Sequence, residues 1–557
     1  MRSSDPGPEP PYSSLYRQFR NSPRPRAAAD SPWLRMQLRS EIHVRRRRKP
    51  ERGALDQVLL AHVETFLERA RAPDSGHGLP RFVERELRRY LECGLLAHGF
   101  ARVHCSRCLR DELVAFSCKG RGFCPSCCGR RMADTAAHLV DHVLPHAPVR
   151  QWVLSFPFRI RFLLASSPRL CAAVRGIFTR TLLGWLEQRA LAGAAEGSAR
   201  LRSSDSLPAA RSEPEFAARS GAVVFAQRFG SALNLNLHFH ALVLDGAFVS
   251  PSSALAPRFQ PAAPLTDADV AELVEQLARR ITRYLERQGR LPRAHTPIDG
   301  DDSAELDASL FDQLCAASIQ GGAALAPESS RPIARLGQRR PPRPRPMPGS
   351  LCADYNGFSL HAKVYVPAGE LERLEHLCRY IARPPIATQR LALAPNGRVV
   401  YGLKRHWRDG TSAVSFDPLT FIERLAALVP PPRAHQLTYH GVLAPASAWR
   451  DLVVPKRALH SAAHPPTANP RDTLGSGASP APGAATRSHS SRSTWAELLR
   501  RVFALDLLTC PHCGGPRRLI AQLTDPVVVR KILAHLGLPT EPPRPAPARS
   551  REQLDFA

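Results

Sequence analysis

The chain has 557 residues, 43% of them hydrophobic, which is enough for two or three domains and at least one sizeable core. Lysine and arginine number 77 against 49 acidic residues, and a formal charge of +28 draws a polyanion before any specific contact forms, so nucleic acid is the first candidate partner. No run of about 18 apolar residues is present and Met1–Pro11 lacks the apolar stretch of a secretory signal; a cytoplasmic protein with no membrane partner is expected, its 13 cysteines held as thiols or metal ligands.

Residues 1–53 are polar, proline-rich and end in the run Arg45–Lys49, too charged to pack, and read as a disordered basic arm. Leu55–Ala70 and Leu79–Leu96 carry apolar residues at helical spacing and form a helical pair leading into the cysteines. Cys105-x-x-Cys108 is separated by fifteen residues from Cys124-x-x-Cys127, the spacing of two knuckles that bring four thiolates to one tetrahedral zinc. Such a closed site leaves no open position for water, so its role is structural; Cys118 or His104 is an alternative to one of the four. Lys119, Arg121, Arg130 and Arg131 surround the cluster and offer a basic face to DNA phosphates. Together the helices and the zinc ribbon define a DNA-binding unit over 54–145.

Gln151–Pro157 reads as a short strand, Ala194–Arg219 as a loop without a clear period, and Thr266–Gln288 as a helix. In Leu233–Asp245 (LNLNLHFHALVLD) side chains alternate, so Leu233, Leu235, Leu237, Phe239 and Ala241 share one face while Asn234, Asn236, His238 and His240 share the other. Two imidazoles aimed the same way from an anchored strand suit a divalent metal, although a bare His-x-His pair is more often structural. The basic, proline-rich stretch Arg331–Pro348 belongs to an insertion near 290–350 and cannot form a regular sheet or helix.

Glu370–Ala382 has Leu371, Leu374, Leu377, Cys378 and Ile381 along one stripe and is stopped by Pro384–Pro385. At helical spacing Tyr380 lies about 110° from the centre of that stripe. It is displayed among Arg373, His376 and Arg383, a cationic setting that attracts phosphate and favours a phenolate. A second polar linker spans 461–493. The remaining unit, 494–557, holds Cys510-x-x-Cys513, one knuckle with no second pair nearby, to which His535 is a candidate third ligand. The helix-like stretch Pro526–Leu536 leaves open dimerisation, and so a homo-oligomer, or DNA contact.

The His-x-His strand, the downstream helical tyrosine and the upstream zinc-ribbon pattern together resemble the HUH superfamily of single-strand nucleases, and more narrowly the rolling-circle insertion-sequence transposases of the ninety-one type. The resemblance covers roughly 79–445 and is carried by FSCKGRGFCPSC, QWVLSFP, FAQRFGSALNLNLHFHALVLDG, RYIARPP, LKRHWRDGT and YHGVLAP. It implies an α+β fold in which a catalytic domain, 146–460, is an antiparallel sheet with helices on one side, preceded by the helical and zinc-ribbon module. It implies further that His238 and His240 bind Mg²⁺ or Mn²⁺, with Gln227 or His376 as third ligand, and that Tyr380 is the nucleophile that becomes joined to DNA. Arg379, Arg383 and Lys404 would hold neighbouring phosphates. The substrate would be the single-stranded or hairpin end of a mobile element, in a bacterial, nucleoid-associated setting.

The sequence departs from two-tyrosine members where His376 stands in place of the first tyrosine, and so resembles the single-tyrosine, common-region branch. How the second strand transfer is made stays open, with a released 3′-OH, a second subunit or Tyr401 as candidates. Two other readings are a decayed, zinc-dependent DNA-binding protein without catalysis, and a replication initiator or relaxase.

Overall fold

The computed structural model describes residues 43–44, 53–71, 78–204, 216–250, 256–292, 309–325, 333–337, 349–454 and 509–549. The run Arg45–Lys49, the linker 461–493 and residues 338–348 of the basic insertion lie outside the described residues.

The N-terminal module contains β1 (His43–Val44), helices α1 (Ala54–Arg71) and α2 (Arg81–Glu92), the hairpin β2 (Phe100–Cys105) and β3 (Asp111–Ala115), and α3 (Pro125–His142). Helix α3 starts at the second cysteine pair with Pro125 in its first turn, where a missing N–H costs nothing. The expected helical pair is present. Val58, Leu59, Val63, Phe66 and Leu67 of α1 and Val83 and Leu87 of α2 are buried, sharing a core with residues 310–319 and 386–429.

The chain continues through β4 (Val149–Ser155), α4 (Phe158–Ser166), α5 (Pro168–Ser204), β5 (Ala217–Arg219), β6 (Gly221–Phe229), β7 (Leu235–Leu244), β8 (Gly246–Ser250), β9 (Arg258–Pro261), α6 (Asp267–Arg287) and α7 (Leu310–Gln320). It then forms β10 (Ile333–Leu336), β11 (Cys352–Tyr355), β12 (Phe358–His361), β13 (Tyr365–Val366), α8 (Leu371–Ile381), β14 (Leu391–Leu393), β15 (Val399–Gly402), β16 (Ala413–Phe416), α9 (Pro418–Leu428), β17 (Leu437–Gly441), α10 (Arg450–Val453), β18 (Arg517–Leu523) and α11 (Pro526–His535). Helix α6 begins with a capping box, the Thr266 hydroxyl accepting from the Asp269 N–H while the Asp269 carboxylate accepts from the Thr266 N–H.

Two local expectations are corrected. The first part of the stretch expected to be a loop, from Ala194 to Ser204, continues α5, because adding residues to a helix already formed over 168–193 costs far less than nucleating one, even where no apolar stripe marks it. Within the basic stretch, Ile333–Leu336 precedes the proline cluster and pairs antiparallel with β16 as an edge strand of the small sheet β10-β16-β15-β14.

The main sheet runs β11-β12-β4-β7-β6-β17, with β13 also on β4, and every pairing in it is antiparallel. The fold is α+β, as expected. One face carries Leu237, Phe239, Ala241 and Val243 of β7 with Trp152, Leu154 and Val224, packed under α5 and α6. Phe239 is enclosed between Phe156 and Phe178, with ring centroids 5.1 and 6.2 Å away. Helices cover the other face too: α3 and α8 pack over Val223, Phe225, Leu242 and Leu244, which brings the zinc module and the tyrosine helix to the histidine side of the sheet.

Candidate active site and metal centres

The four cysteines expected at one zinc are divided between two clusters. Cys124 and Cys127 join Cys93 and Cys118, whereas Cys105 and Cys108 join Cys510 and Cys513. The reason is geometric. Cys105 and Cys108 stand at the tip of the β2–β3 hairpin, while Cys124 and Cys127 open α3 beside the end of α2, where Cys93 is the C-cap. In the first tetrad the Cys118–Cys127, Cys93–Cys124 and Cys93–Cys127 sulfurs are 3.4, 3.6 and 3.8 Å apart. Four sulfurs about 2.3 Å from a tetrahedral zinc are about 3.8 Å from one another, so this buried set fits the ion. Of the two alternative ligands, Cys118 belongs to this tetrad, whereas His104 is paired with Asp111 at 2.9 Å.

Strand β7 carries the two histidines as the alternation requires. In register, Ser155 and Gln227 flank His238, and Val153 and Phe225 flank His240. Both imidazoles are buried, and their ring centroids are 4.8 Å apart. Burial pushes the His238 pKa down to about 4, with the Arg383 and Arg161 charges adding to the effect, and burial followed by His238 and Arg383 holds His240 well below its ordinary value. Both rings are therefore neutral, the form a metal requires.

The hydrogen bonds leave lone pairs free on this face. His238 Nδ1 donates to the Asn236 carbonyl at 2.8 Å, which leaves Nε2 as an acceptor. His240 Nδ1 lies 2.7 Å from the Gln151 amide and its Nε2 is buried without a partner; with the amide turned so that its oxygen accepts from Nδ1–H, that Nε2 is a free acceptor. Gln227 Nε2 donates to the Ile381 carbonyl at 3.0 Å, and its Oε1 is likewise buried without a partner. Two imidazoles and an amide oxygen with orphaned acceptors fit a divalent cation. Among the described residues no histidine, cysteine or carboxylate completes a compact three-ligand group with the pair. His376 lies exposed on α8, so of the two candidates for third ligand only Gln227 has its side chain buried beside the histidines.

Tyr380 sits in the last turn of α8, 40% exposed, while Leu374, Leu377, Cys378 and Ile381 bury the opposite stripe. Arg383 and Lys404 lie over its ring, 4.5 and 5.1 Å from the centroid. Partial burial raises the phenol pKa, but the charges of Arg383, Lys404 and Arg405 outweigh it and the net shift is downward. Since Gln227 holds the carbonyl of the next residue, the tyrosine is fixed to the strand that flanks His238. Tyr401 is different: it is 1% exposed, with its hydroxyl bonded to Arg390 at 2.9 Å and to the Ala387 N–H, and it has no access to DNA.

The expected DNA contacts fall into two groups. Arg121, Arg131 and Arg383 line a cleft of about 120 Å³ together with Gln227 and Phe229, at the junction of the zinc module and α8. Arg121 donates to the Ala434 carbonyl at 2.7 Å and Arg131 to the Gly120 carbonyl at 3.2 Å, so the cleft wall is held in place. Lys119 and Arg130 are exposed nearby, whereas Arg379 is turned to Glu375 at 3.5 Å. Gln151 escaped sequence reasoning; its place in QWVLSFP, at a position alternate to Val153 and Ser155, was the available signal.

Two family models match the chain: the transposase zinc-binding domain over residues 58–156, and a family described as "Putative transposase" over residues 221–450. Both matches support a transposase function, and both domains imply that the chain binds DNA. In their order along the chain they match a transposase of the insertion-sequence ninety-one family with an N-terminal zinc-binding domain. No curated protein and no solved structure matches the chain. The zinc-binding domain and the cysteine tetrads support structural zinc, and among the described residues no helix is long and apolar enough to cross a membrane.

Proposed function

We propose that this transposase cleaves and rejoins single-stranded DNA at the ends of its element through a 5′-phosphotyrosine intermediate on Tyr380. The observation that carries the reading is the joint placement of an exposed tyrosine under two cations and a buried pair of neutral histidines, linked by the Gln227–Ile381 hydrogen bond.

Arg383 and Lys404 attract the scissile phosphate and favour the phenolate. The Tyr380 oxygen attacks phosphorus, the bond to the 3′ oxygen breaks, and that oxygen takes up a proton to become a free 3′-OH. One phosphate ester replaces another, so the reverse reaction rejoins a strand without an external energy source. His238, His240 and Gln227 would hold Mg²⁺ or Mn²⁺, which when bound supplies charge stabilisation to phosphate oxygens. Gln151 orients His240, as outer-shell partners of ligating histidines do. Arg121 and Arg131 continue the positive lining of the cleft from the zinc module toward Arg383, a path suited to a single strand.

The test is Mn²⁺ binding to the full chain by electron paramagnetic resonance, beside cleavage of a labelled element end. His240→Ala and Gln227→Leu are expected to weaken Mn²⁺ binding at least tenfold and to lower cleavage, while affinity for the uncleaved end is kept. Unchanged Mn²⁺ binding in both variants would remove the metal assignment. DNA binding by the wild type with no cleavage in either metal would leave a zinc-dependent DNA-binding protein.

A further inference from the structure

We propose that Cys105, Cys108, Cys510 and Cys513 form a second zinc site, outside the one enclosed by the zinc-binding domain, which clasps the C-terminal segment onto the N-terminal module. Its ligands come from chain segments more than 400 residues apart: Cys108 and Cys510 are separated by 402 positions and Cys105 and Cys513 by 408. Across the cluster the sulfurs of these pairs are 3.6 and 3.5 Å apart, the spacing of a closed four-thiolate zinc.

The two halves are built alike. The N–H of Leu109 donates to the Cys105 carbonyl at 2.9 Å, and the N–H of Gly514, the corresponding residue of the other half, donates to the Cys510 carbonyl at 2.8 Å. The N–H of Cys105 donates to Arg110 and that of Cys510 to Gly515, again at equivalent positions. Both turns close with a left-handed residue, Leu109 at φ 58° and Gly514 at φ 68°. Leucine is a poor occupant of that region, and Leu109 is exposed, so packing of its side chain does not repay the conformation. A matched pair of knuckles, sulfurs inward, is what a tetrahedral thiolate site needs and what unrelated turns lack.

The surroundings fit a clasp. Strand β18 begins at Arg517, just beyond the second knuckle, and extends the β3-β2 hairpin as a further antiparallel strand, Arg517 facing Cys105 and Leu523 facing Phe100. Val529 and Leu533 of α11 close a small core on Leu96, Phe100 and Leu113. The segment runs on to α1, where the Ala546 N–H donates to the Leu60 carbonyl and the Arg549 N–H to the Thr65 hydroxyl. Neither His104 nor His535 enters the cluster. All four sulfur-bearing residues of the first tetrad are buried, whereas Cys108 and Cys513 are half-exposed, so the clasp metal is the one a chelator reaches first.

The experiment is zinc counting by mass spectrometry on the full chain, before and after brief chelation. Wild type is expected to hold two zinc ions, one of them removed early, and Cys510→Ser/Cys513→Ser to hold one that resists. Cys513→His, which keeps a ligand, is expected to hold two. In parallel, a protease site is inserted between residues 475 and 476 and the cleaved chain is run on gel filtration. The two pieces are expected to travel together with zinc and to separate once the labile ion is removed. One zinc in wild type, or two in the double serine variant, overturns the proposal, as does a cleaved C-terminal piece that stays bound after chelation; the cleavage result decides even where the double variant does not fold.

Discussion

Glu112 on β3 and Arg517 on β18 form an ion pair across the intervening strand β2, and their side chains are only 4% and 5% exposed. Glu112→Gln leaves the guanidinium buried with its charge uncompensated, and breaking a buried pair from one side costs about 3–5 kcal/mol. Since Arg517 belongs to the C-terminal segment, that cost falls on the seating of β18 rather than on the main sheet, whose cores lie elsewhere. At about 1.4 kcal/mol per tenfold, the amides of Arg517–Leu523 are expected to exchange with solvent about two to four orders of magnitude faster, while those of β6 and β7 are unchanged. Native-state hydrogen exchange read by mass spectrometry resolves the two regions. Replacing both residues by methionine is expected to restore most of the protection, because the desolvation cost goes with the charges. Exchange of β18 altered less than tenfold by Glu112→Gln would refute the claim that this pair helps to fasten the segment.

Phe239→Ala empties a fully buried site between Phe156 and Phe178 and is expected to cost about 3–5 kcal/mol, measured as a lowered denaturation midpoint of the main sheet. Gly441 has φ +60°, and a Cβ there would overlap the Ser220 carbonyl oxygen, so Gly441→Ala is expected to destabilise the β17 edge by more than about 1 kcal/mol in the same assay. His440, whose Nε2 lies 2.9 Å from the Thr438 hydroxyl, is held down to about 4 by burial and then by the Arg175 and Arg180 charges. Its folded pKa is below the unfolded value of about 6.5, so the stability it contributes is complete above that value and is lost as pH falls toward 4. His440→Asn is expected to flatten stability between those limits in denaturation series at several pH values.

The parts of the fold that rest on local pattern were legible in the chain. Alternation in LNLNLHFHALVLD placed His238 and His240 on one side of a strand, and the leucine stripe of 371–381 turned Tyr380 outward, because both periods follow from backbone geometry alone. What failed depended on distance along the chain. Two Cys-x-x-Cys pairs sixteen positions apart look like partners in sequence, yet the hairpin aims Cys105 and Cys108 away from Cys124, and their true neighbours lie 400 residues on. Cys93 stands alone in sequence and acquires its meaning only from the end of α2. Gln151 was hidden for a similar reason: its bond to His240 runs between strands that the sequence does not pair.

The most direct measurement is capture of the covalent intermediate: full-length wild type and Tyr380→Phe are incubated with labelled single-stranded DNA carrying the element's end, with Mn²⁺ and with chelator, and resolved under denaturing conditions. A labelled protein band that requires both Mn²⁺ and Tyr380, and that maps to residue 380 after digestion, is the expected result. An adduct of equal yield in Tyr380→Phe, or cleavage by the wild type with no adduct at all, would contradict the tyrosine mechanism.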